Sequence, residues 1–430
     1  MARVTVRSRA MISDTTLRRV LPASTVALAG DLVRALLWGL TFVIWVAFLQ
    51  VYLRMIRLTL ADPSSSDFTI LYYTARMVAD GLPMYGESPA RYGVSWAAGH
   101  LGNLNPPHFQ ILLAPLAWLP YGQALLAWVA VSLACLVAAL VVIVRELGVP
   151  FTWTRLAGWG AVTIGLAPFT TVAVTSEITF VLMLPFALLW RAWRRGEWGR
   201  AGAWLGVLAS LKLFFLVPLA WLALRGNARA IGAAAAAAAA LVACGALVFG
   251  LDSYRLWAGS LGTVGWQWMA MNASWPGFVS RVFESGGTIV PVVPVPALVA
   301  PLSVAGSAVV LGVTVLRVRQ APRSPRDGDR SLLALLLAAL LASPLGWVYY
   351  LPLAYGPILG WMGAGDGWSA MRRLGAPALT ALLAGLALLY LPQEVANAGQ
   401  PSALSTATLA SAYFYGTAVL WLTLVTEPPG

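Results

Sequence analysis

Long apolar runs alternate along the chain with short connections rich in arginine, glycine and proline. A straight helix crosses a bilayer core with about 20 apolar residues, and a broken or shielded one with fewer. On that measure the pattern predicts spans at 35–58, 121–144, 156–173, 177–192, 201–211, 213–224, 230–250, 293–316, 331–343, 347–362, 375–391 and 406–425. The run 106–120, PPHFQILLAPLAWLP, is short and bounded by prolines, so it is predicted to be re-entrant or interfacial. Residues 201–224 read as a hairpin of two short helices turning near Lys212, and the alanines at 233–240 as a stretch suited to close helix packing. The expected fold is all-α: a polytopic integral membrane protein with about 11–13 transmembrane helices. It forms a single domain over 31–430 behind a basic tail at 1–30.

Composition agrees. Of 430 residues 60% are hydrophobic and 10% charged, with a mean hydropathy of +0.78, a balance that excludes a soluble domain with a wetted surface. The net charge of +12 is spread over short connections, which points to membrane orientation and not to nucleic acid. Arg3, Arg7, Arg9, Arg18 and Arg19 precede the first span without the apolar core of a signal peptide, so the N-terminus is expected in the cytoplasm. The connections 191–200, 225–229, 317–330 and 372–373 follow it there by the positive-inside rule. Asp62, Asp67, Asp80, Glu87, Glu177, Asp252, Glu284 and Glu394 then fall outside, on outer loops centred on 60–105 and 251–290. Cys135 and Cys244 both lie in apolar runs and support neither a disulfide framework nor a thiolate metal site.

This parity gathers polar residues from distant positions at one face. Asp67 opens the stretch DFTILYYTARMVADG. It suits either a capping box with Ser64 or a carboxylate at a cavity mouth that takes a proton from a hydroxyl, with Tyr72, Tyr73 and Arg76 following on the same helix. Lys212, the only lysine beside 27 arginines, could snorkel or neutralise a phosphate. Asn105 and His108 flank two prolines; with only His100 as a second histidine, His108 reads as a hydrogen-bonding or packing residue and not a metal ligand. Glu177, Asn272, Trp275 and Arg281 complete the candidate cavity, and Asn272-Ala-Ser274 also has the form of a sequon. Trp347, Tyr349 and Tyr350 fit an interfacial belt or a platform for sugar rings.

In order, the segments DFTILYYTARMVADGLPMYG, NPPHFQILLAPLAWLP, GRAGAWLGVLASLKLFFLVP, NASWPGFVSRVF and ASPLGWVYY resemble the polyprenyl-phosphate-sugar-dependent glycosyltransferase family 87. That family has the GT-C membrane fold and includes mycobacterial mannosyltransferases and arabinofuranosyltransferases. The resemblance covers about 65–350. It implies that Asp67 is the catalytic acid of the first outer loop and Lys212 the lysine beside the lipid phosphate; Tyr349 and Tyr350 are further candidates for the donor phosphate. Two departures stand out: SEIT at 176–179 replaces Gly-Gln-x-Asn, and Gly346-Trp347-Val348-Tyr349 replaces Ser-Trp-x-His.

The function expected is inverting transfer of a sugar, foremost mannose, from a polyprenyl-phosphate donor to a hydroxyl of a periplasm-facing glycolipid or polysaccharide in a bacterial cell membrane. Arabinofuranose is the alternative sugar. The expected partners are the lipid donor, the glycan acceptor and the bilayer; no metal or other cofactor is implied. A lipid or solute transporter is the rival of another class, for which inverted repeats and midplane half-helices would be expected. An inactive scaffold homologue is a third reading.

Overall fold

The computed structural model describes residues 23–85, 89–94, 102–150, 152–287, 289–320, 322–363, 376–391 and 402–427. The arginines of the basic tail, Glu87, His100, the 372–373 connection and Glu394 lie outside the described residues. Among the described residues the chain is helical without strands, apart from isolated bridges joining Asn272 to Trp347 and Gly286 to Ile289.

A long helix α1 (Ala23–Ala61) comes first, followed by α2 (Phe68–Ala79) and the short α3 (Phe109–Leu113). Next are α4 (Tyr121–Glu146), α5 (Trp153–Ile164), α6 (Ala167–Thr175) and α7 (Thr179–Arg194). The hairpin consists of α8 (Trp198–Leu211) and α9 (Leu216–Leu224), and leads to α10 (Ala228–Phe249), α11 (Asp252–Ser260), α12 (Trp275–Phe283) and α13 (Val299–Arg317). The chain ends with α14 (Pro325–Ala342), α15 (Tyr355–Trp361), α16 (Ala376–Leu389), α17 (Ala403–Ala407) and α18 (Ala412–Thr426).

Each predicted span is helical, yet among the described residues five helices are long and apolar enough to cross a membrane on their own: Gly30–Ala61, Tyr121–Glu146, Ala228–Phe249, Pro296–Arg317 and Ala403–Thr426. The remainder are interrupted or short. Gly165 and Leu166 separate α5 from α6, and the stretch predicted at 347–362 is a 3-10 segment, Val348–Ala354, running into α15. The proline-bounded run is α3 continued by a 3-10 turn over Ala114–Trp118, too short to span.

The bundle is organised around α14. Every residue from Gly328 to Leu341 is buried; from Leu332 onward all are apolar, as expected of a helix enclosed on every side, while Asp329, Arg330 and Ser331 bring buried polar groups to its start. It packs against α7, α9, α13, α15 and α18. By contrast α1 buries almost nothing: Leu28, Leu36 and Phe42 stand free, which suits a helix facing lipid. Its indole Trp45 bonds the Ala157 carbonyl of α5.

The tightest helix pair is α8 with α10. Gly202 and Gly206 sit one turn apart on α8, opposite Ala230 and Ala234 of α10, both fully buried. A Cβ on either glycine would run into the facing alanine's backbone carbonyl. Ala230 and Ala234 thus have a cause: two backbones approach within side-chain distance there, the packing that membranes favour where apolar burial gives no drive. Gly206→Val is expected to destabilise the protein by about 1–3 kcal/mol through overpacking, read as a lower melting midpoint in detergent. Ala235→Leu, on the exposed face of the same helix, is expected to leave the midpoint in place.

Candidate active site

A cavity of about 240 Å³ collects side chains from six separated stretches of chain, among them Asp67, Asn105, Glu177, Lys212, Trp257, Trp266, Trp347, Tyr349 and Tyr350. Among the described residues lining it, Lys212 is the only cation and Asp67 and Glu177 the only acids.

Asp67 is the residue before α2, but it makes no capping hydrogen bond. Capping is done by its neighbours. The Ser66 hydroxyl accepts from the Phe68 amide and donates to the Thr175 carbonyl, and Ser64 donates to Asp62. The Asp67 carboxylate is therefore left for the cavity. Enclosure by the surrounding protein raises its pKa to about 7, with the Glu177 charge adding to the rise and Lys212 opposing it.

Glu177 enters on a strained turn. Ser176 ends α6 at φ +53°, left-handed for a non-glycine residue, and its carbonyl is held by the Trp128 indole at 2.8 Å. The turn points Glu177 at the cavity, where its Oε2 accepts from the Thr179 amide at 2.9 Å and hydroxyl at 2.8 Å. Its Oε1 lies 3.8 Å from Lys212 Nζ.

Lys212 is the extended residue where α8 stops and a 3-10 turn begins. Its ammonium donates to Asn105 Oδ1 at 3.0 Å and lies 5.5 Å from the centre of the Tyr350 ring. Snorkelling is not what this side chain does: it is turned into protein, 15% exposed. Asn105 is held in turn, its amides donating to Asn103 Oδ1 and its carbonyl accepting from Tyr85.

Tyr349 and Tyr350 open the 3-10 segment after the corner SPLGW. Only glycine fits at 346, because a Cβ there would meet the Leu340 carbonyl. The Tyr349 and Tyr350 rings meet edge to face, 4.9 Å between centres.

Other sequence candidates lie elsewhere. Tyr72 donates to the Leu119 carbonyl at 2.9 Å, and Tyr73 stacks on Tyr92 and Tyr121. Arg76 pairs with Asp80 and bonds the Ala117 carbonyl. These three occupy the side of α2 that packs on the Ala114–Tyr121 region, outside the cavity lining. His108 bonds Tyr254 at 3.0 Å beneath Gly245 of α10. Asn272 is a brace: its amide donates to the Gln267 and Pro344 carbonyls, and its oxygen accepts from Ser274 and Gly346. Trp275 bonds the Leu302 carbonyl. Arg281, fully buried, donates to the carbonyls of Met269 and Asn272. These last residues shape the wall without lining it.

Trp257 and Trp266 are cavity residues that sequence reasoning passed over. The signal available was the density of tryptophans in the 251–290 loop. Trp257 also ties α11 to the Leu104 carbonyl at 3.0 Å, closing the cavity on that side.

One base with a pKa near neutrality, one enclosed ammonium and aromatic walls form a set able to take a proton from a hydroxyl while holding an anion. The model of glycosyltransferase family 87 matches residues 103–344, a stretch that contains Asn105, Glu177 and Lys212 but not Asp67, Tyr349 or Tyr350. Three curated relatives are similar. The polyprenol-phosphate-mannose-dependent alpha-(1-2)-phosphatidylinositol pentamannoside mannosyltransferase of Mycobacterium tuberculosis is 29% identical over 63% of this chain and 63% of its own length. Its Mycolicibacterium smegmatis counterpart is 27% identical over 63% and 66%. The polyprenol-phosphate-mannose-dependent alpha-(1-2)-phosphatidylinositol mannoside mannosyltransferase of M. tuberculosis is 29% identical over 70% and 71%. The chain thus aligns with somewhat under two thirds of the first relative. No solved structure gives a significant match. With more than half of its residues matched by the family model, the chain belongs to glycosyltransferase family 87.

Proposed function

We propose that the protein is a membrane mannosyltransferase, moving mannose from a polyprenyl-phosphate donor to a hydroxyl of a glycolipid at the outer face of a bacterial cell membrane. The observation that carries this reading is the shared cavity of Asp67 and Lys212. The relatives, which are named as mannose-dependent enzymes acting on phosphatidylinositol mannosides, favour mannose over arabinofuranose and an acceptor of that class. A transporter would concentrate polar half-helices at the midplane, whereas these groups sit at helix ends and in turns: before α2, between α6 and α7, and after α8.

In the proposed step the acceptor oxygen attacks the anomeric carbon on the face opposite phosphate as Asp67 takes its proton. The carbon–oxygen bond to phosphate breaks with inversion, and the electron pair leaves on polyprenyl phosphate. The leaving group gains negative charge, so it needs a positive partner more than an acid. Lys212 supplies it as a compact charge.

Asparagine keeps the shape of Asp67 but cannot accept the proton. Loss of a general base typically costs about 10²–10⁴ in rate, so Asp67→Asn is expected to transfer mannose at least about a hundredfold more slowly while still inserting and binding the lipid donor. Near-normal transfer would remove Asp67 from the chemistry.

The pKa of about 7 sets a pH profile. The ionised carboxylate is the active form, so at saturating donor the wild-type rate should climb about tenfold per pH unit on the acid side and level off above neutrality. A profile flat down to pH 5 would contradict a base in this environment.

Sidedness follows from the arginine distribution. In a variant lacking Cys135 and Cys244, a cysteine at exposed Thr263 is expected to react with a membrane-impermeant maleimide in intact cells, and one at exposed Ser324 is not. Labelling at 324 alone would invert the orientation.

A further inference from the structure

The turn between α13 and α14 carries a separate collection of charge, at the end of the bundle away from the active site. Ser343, just after α14, lines the catalytic cavity. Pro325, at the other end of that helix, is about 27 Å away at 1.5 Å per residue. Beside it lies a cavity of about 190 Å³ whose lining includes Leu316, Arg317, Arg319, Arg323, Asp327 and Arg330.

The backbone of this turn is held from outside. The Trp221 indole donates to the Val318 carbonyl at 3.0 Å, and Arg225 donates to the Arg319 carbonyl at 2.9 Å. The Arg225 guanidinium in turn lies over the Trp221 ring, 5.0 Å from its centre. Two consecutive carbonyls are thus fixed by the end of α9, and with them the points from which the arginine side chains start.

Charge in the cavity does not balance. Arg330, buried on the α14 side, donates to the Leu424 carbonyl and lies 3.9 Å from Glu427. Arg323 spends one donor on Gln320. Arg317 and Arg319 have no side-chain hydrogen bond or ion pair among the described residues. Asp327, the one acid lining the cavity, already accepts from the Arg323 amide at 3.3 Å. Four guanidinium groups therefore share a single lining carboxylate, and a phosphate group, which matches the guanidinium fork, would relieve their repulsion.

The apolar side of the cavity selects where that phosphate comes from. Leu316 is 66% exposed, and Val309, two turns before it on the same face, is 62% exposed. Their helix α13 buries only Val310 and Thr314 among its described residues, so this face is a surface for hydrocarbon that runs straight into the arginines. A free phosphate gains nothing from it, whereas a phospholipid can use both.

We infer that the cavity at the α13–α14 turn binds the headgroup phosphate of an anionic phospholipid in the leaflet opposite the active site, with an acyl chain along Leu316 and Val309. Basic pockets at the cytoplasmic side of membrane helices suit such headgroups, and arginine placement assigns this end to the cytoplasm.

The test is native mass spectrometry of the full-length protein in non-ionic detergent, titrated with dioleoylphosphatidylglycerol or dioleoylphosphatidylcholine. Wild type is expected to retain phosphatidylglycerol at least about tenfold more tightly than phosphatidylcholine, and millimolar inorganic phosphate is expected not to displace it. A basic residue near a membrane surface contributes about 1 kcal/mol toward an anionic lipid, roughly fivefold in affinity. Arg317→Gln combined with Arg319→Gln should therefore release one tightly held phosphatidylglycerol per chain, its affinity falling at least about tenfold. Arg200→Gln combined with Arg229→Gln removes the same charge from exposed positions outside the cavity and should retain that lipid. Equal binding of the two lipids, or the same loss in both double variants, overturns the inference, as does full retention in the first. Displacement by phosphate overturns it in favour of a soluble phosphate ligand. The wild-type comparisons decide the matter even if a variant does not fold.

Discussion

The site depends on an ammonium that has been taken out of water. A lysine enclosed among helix ends is tolerable only if its charge and its three donors find partners, and Lys212 draws these from three directions. Asn105 comes from the segment before α3, Glu177 from the turn between α6 and α7, and the Tyr350 ring from the corner after α14. None of these segments is a neighbour in sequence, so satisfying one cation assembles a cavity. The strain at Ser176 fits the same logic, because the left-handed residue is what turns the next carboxylate toward the lysine.

A second set of charges sits at the other ends of the same helices. Asp329, fully buried near the start of α14, pairs with Arg194 at the end of α7 and accepts from the Trp190 indole at 2.7 Å. Glu146 at the end of α4 meets Arg195 at 2.7 Å. The two helices α7 and α14 are roughly 24–27 Å long at 1.5 Å per residue. Each is tied at one end by ions and reaches the cavity at the other, through Glu177 before α7 and Ser343 after α14. Sliding either helix by a turn would break a buried ion pair and misplace a cavity residue together.

Most of this architecture was legible in the sequence, because apolar run length and arginine placement are direct consequences of the bilayer. Parity alone brought Asp67, Glu177, Lys212 and the 343–350 corner to one face. The orientation of α2 was not legible. Its twelve residues offer polar and aromatic groups on several sides, and contact with Leu119 and Tyr121, not periodicity, decides that Tyr72, Tyr73 and Arg76 turn from the cavity. Asn272 and Arg281 were misplaced for a related reason: they serve backbone carbonyls, and a carbonyl partner leaves no trace in residue type. The number of helices that cross unaided was also hidden, since composition does not show where breaks such as Gly165–Leu166 fall.

The brace at Asn272 has a mechanical meaning. One carboxamide spends its bonds joining the loop of Trp266 and Met269 to the corner that carries Trp347 and Tyr349, with Arg281 binding the same loop from behind. Those two walls form a single stiff plate. Parting them would break several buried bonds at once, whereas on the opposite side α11 holds the 103–104 backbone through Trp257 and Ser260, so the cavity yields more readily there.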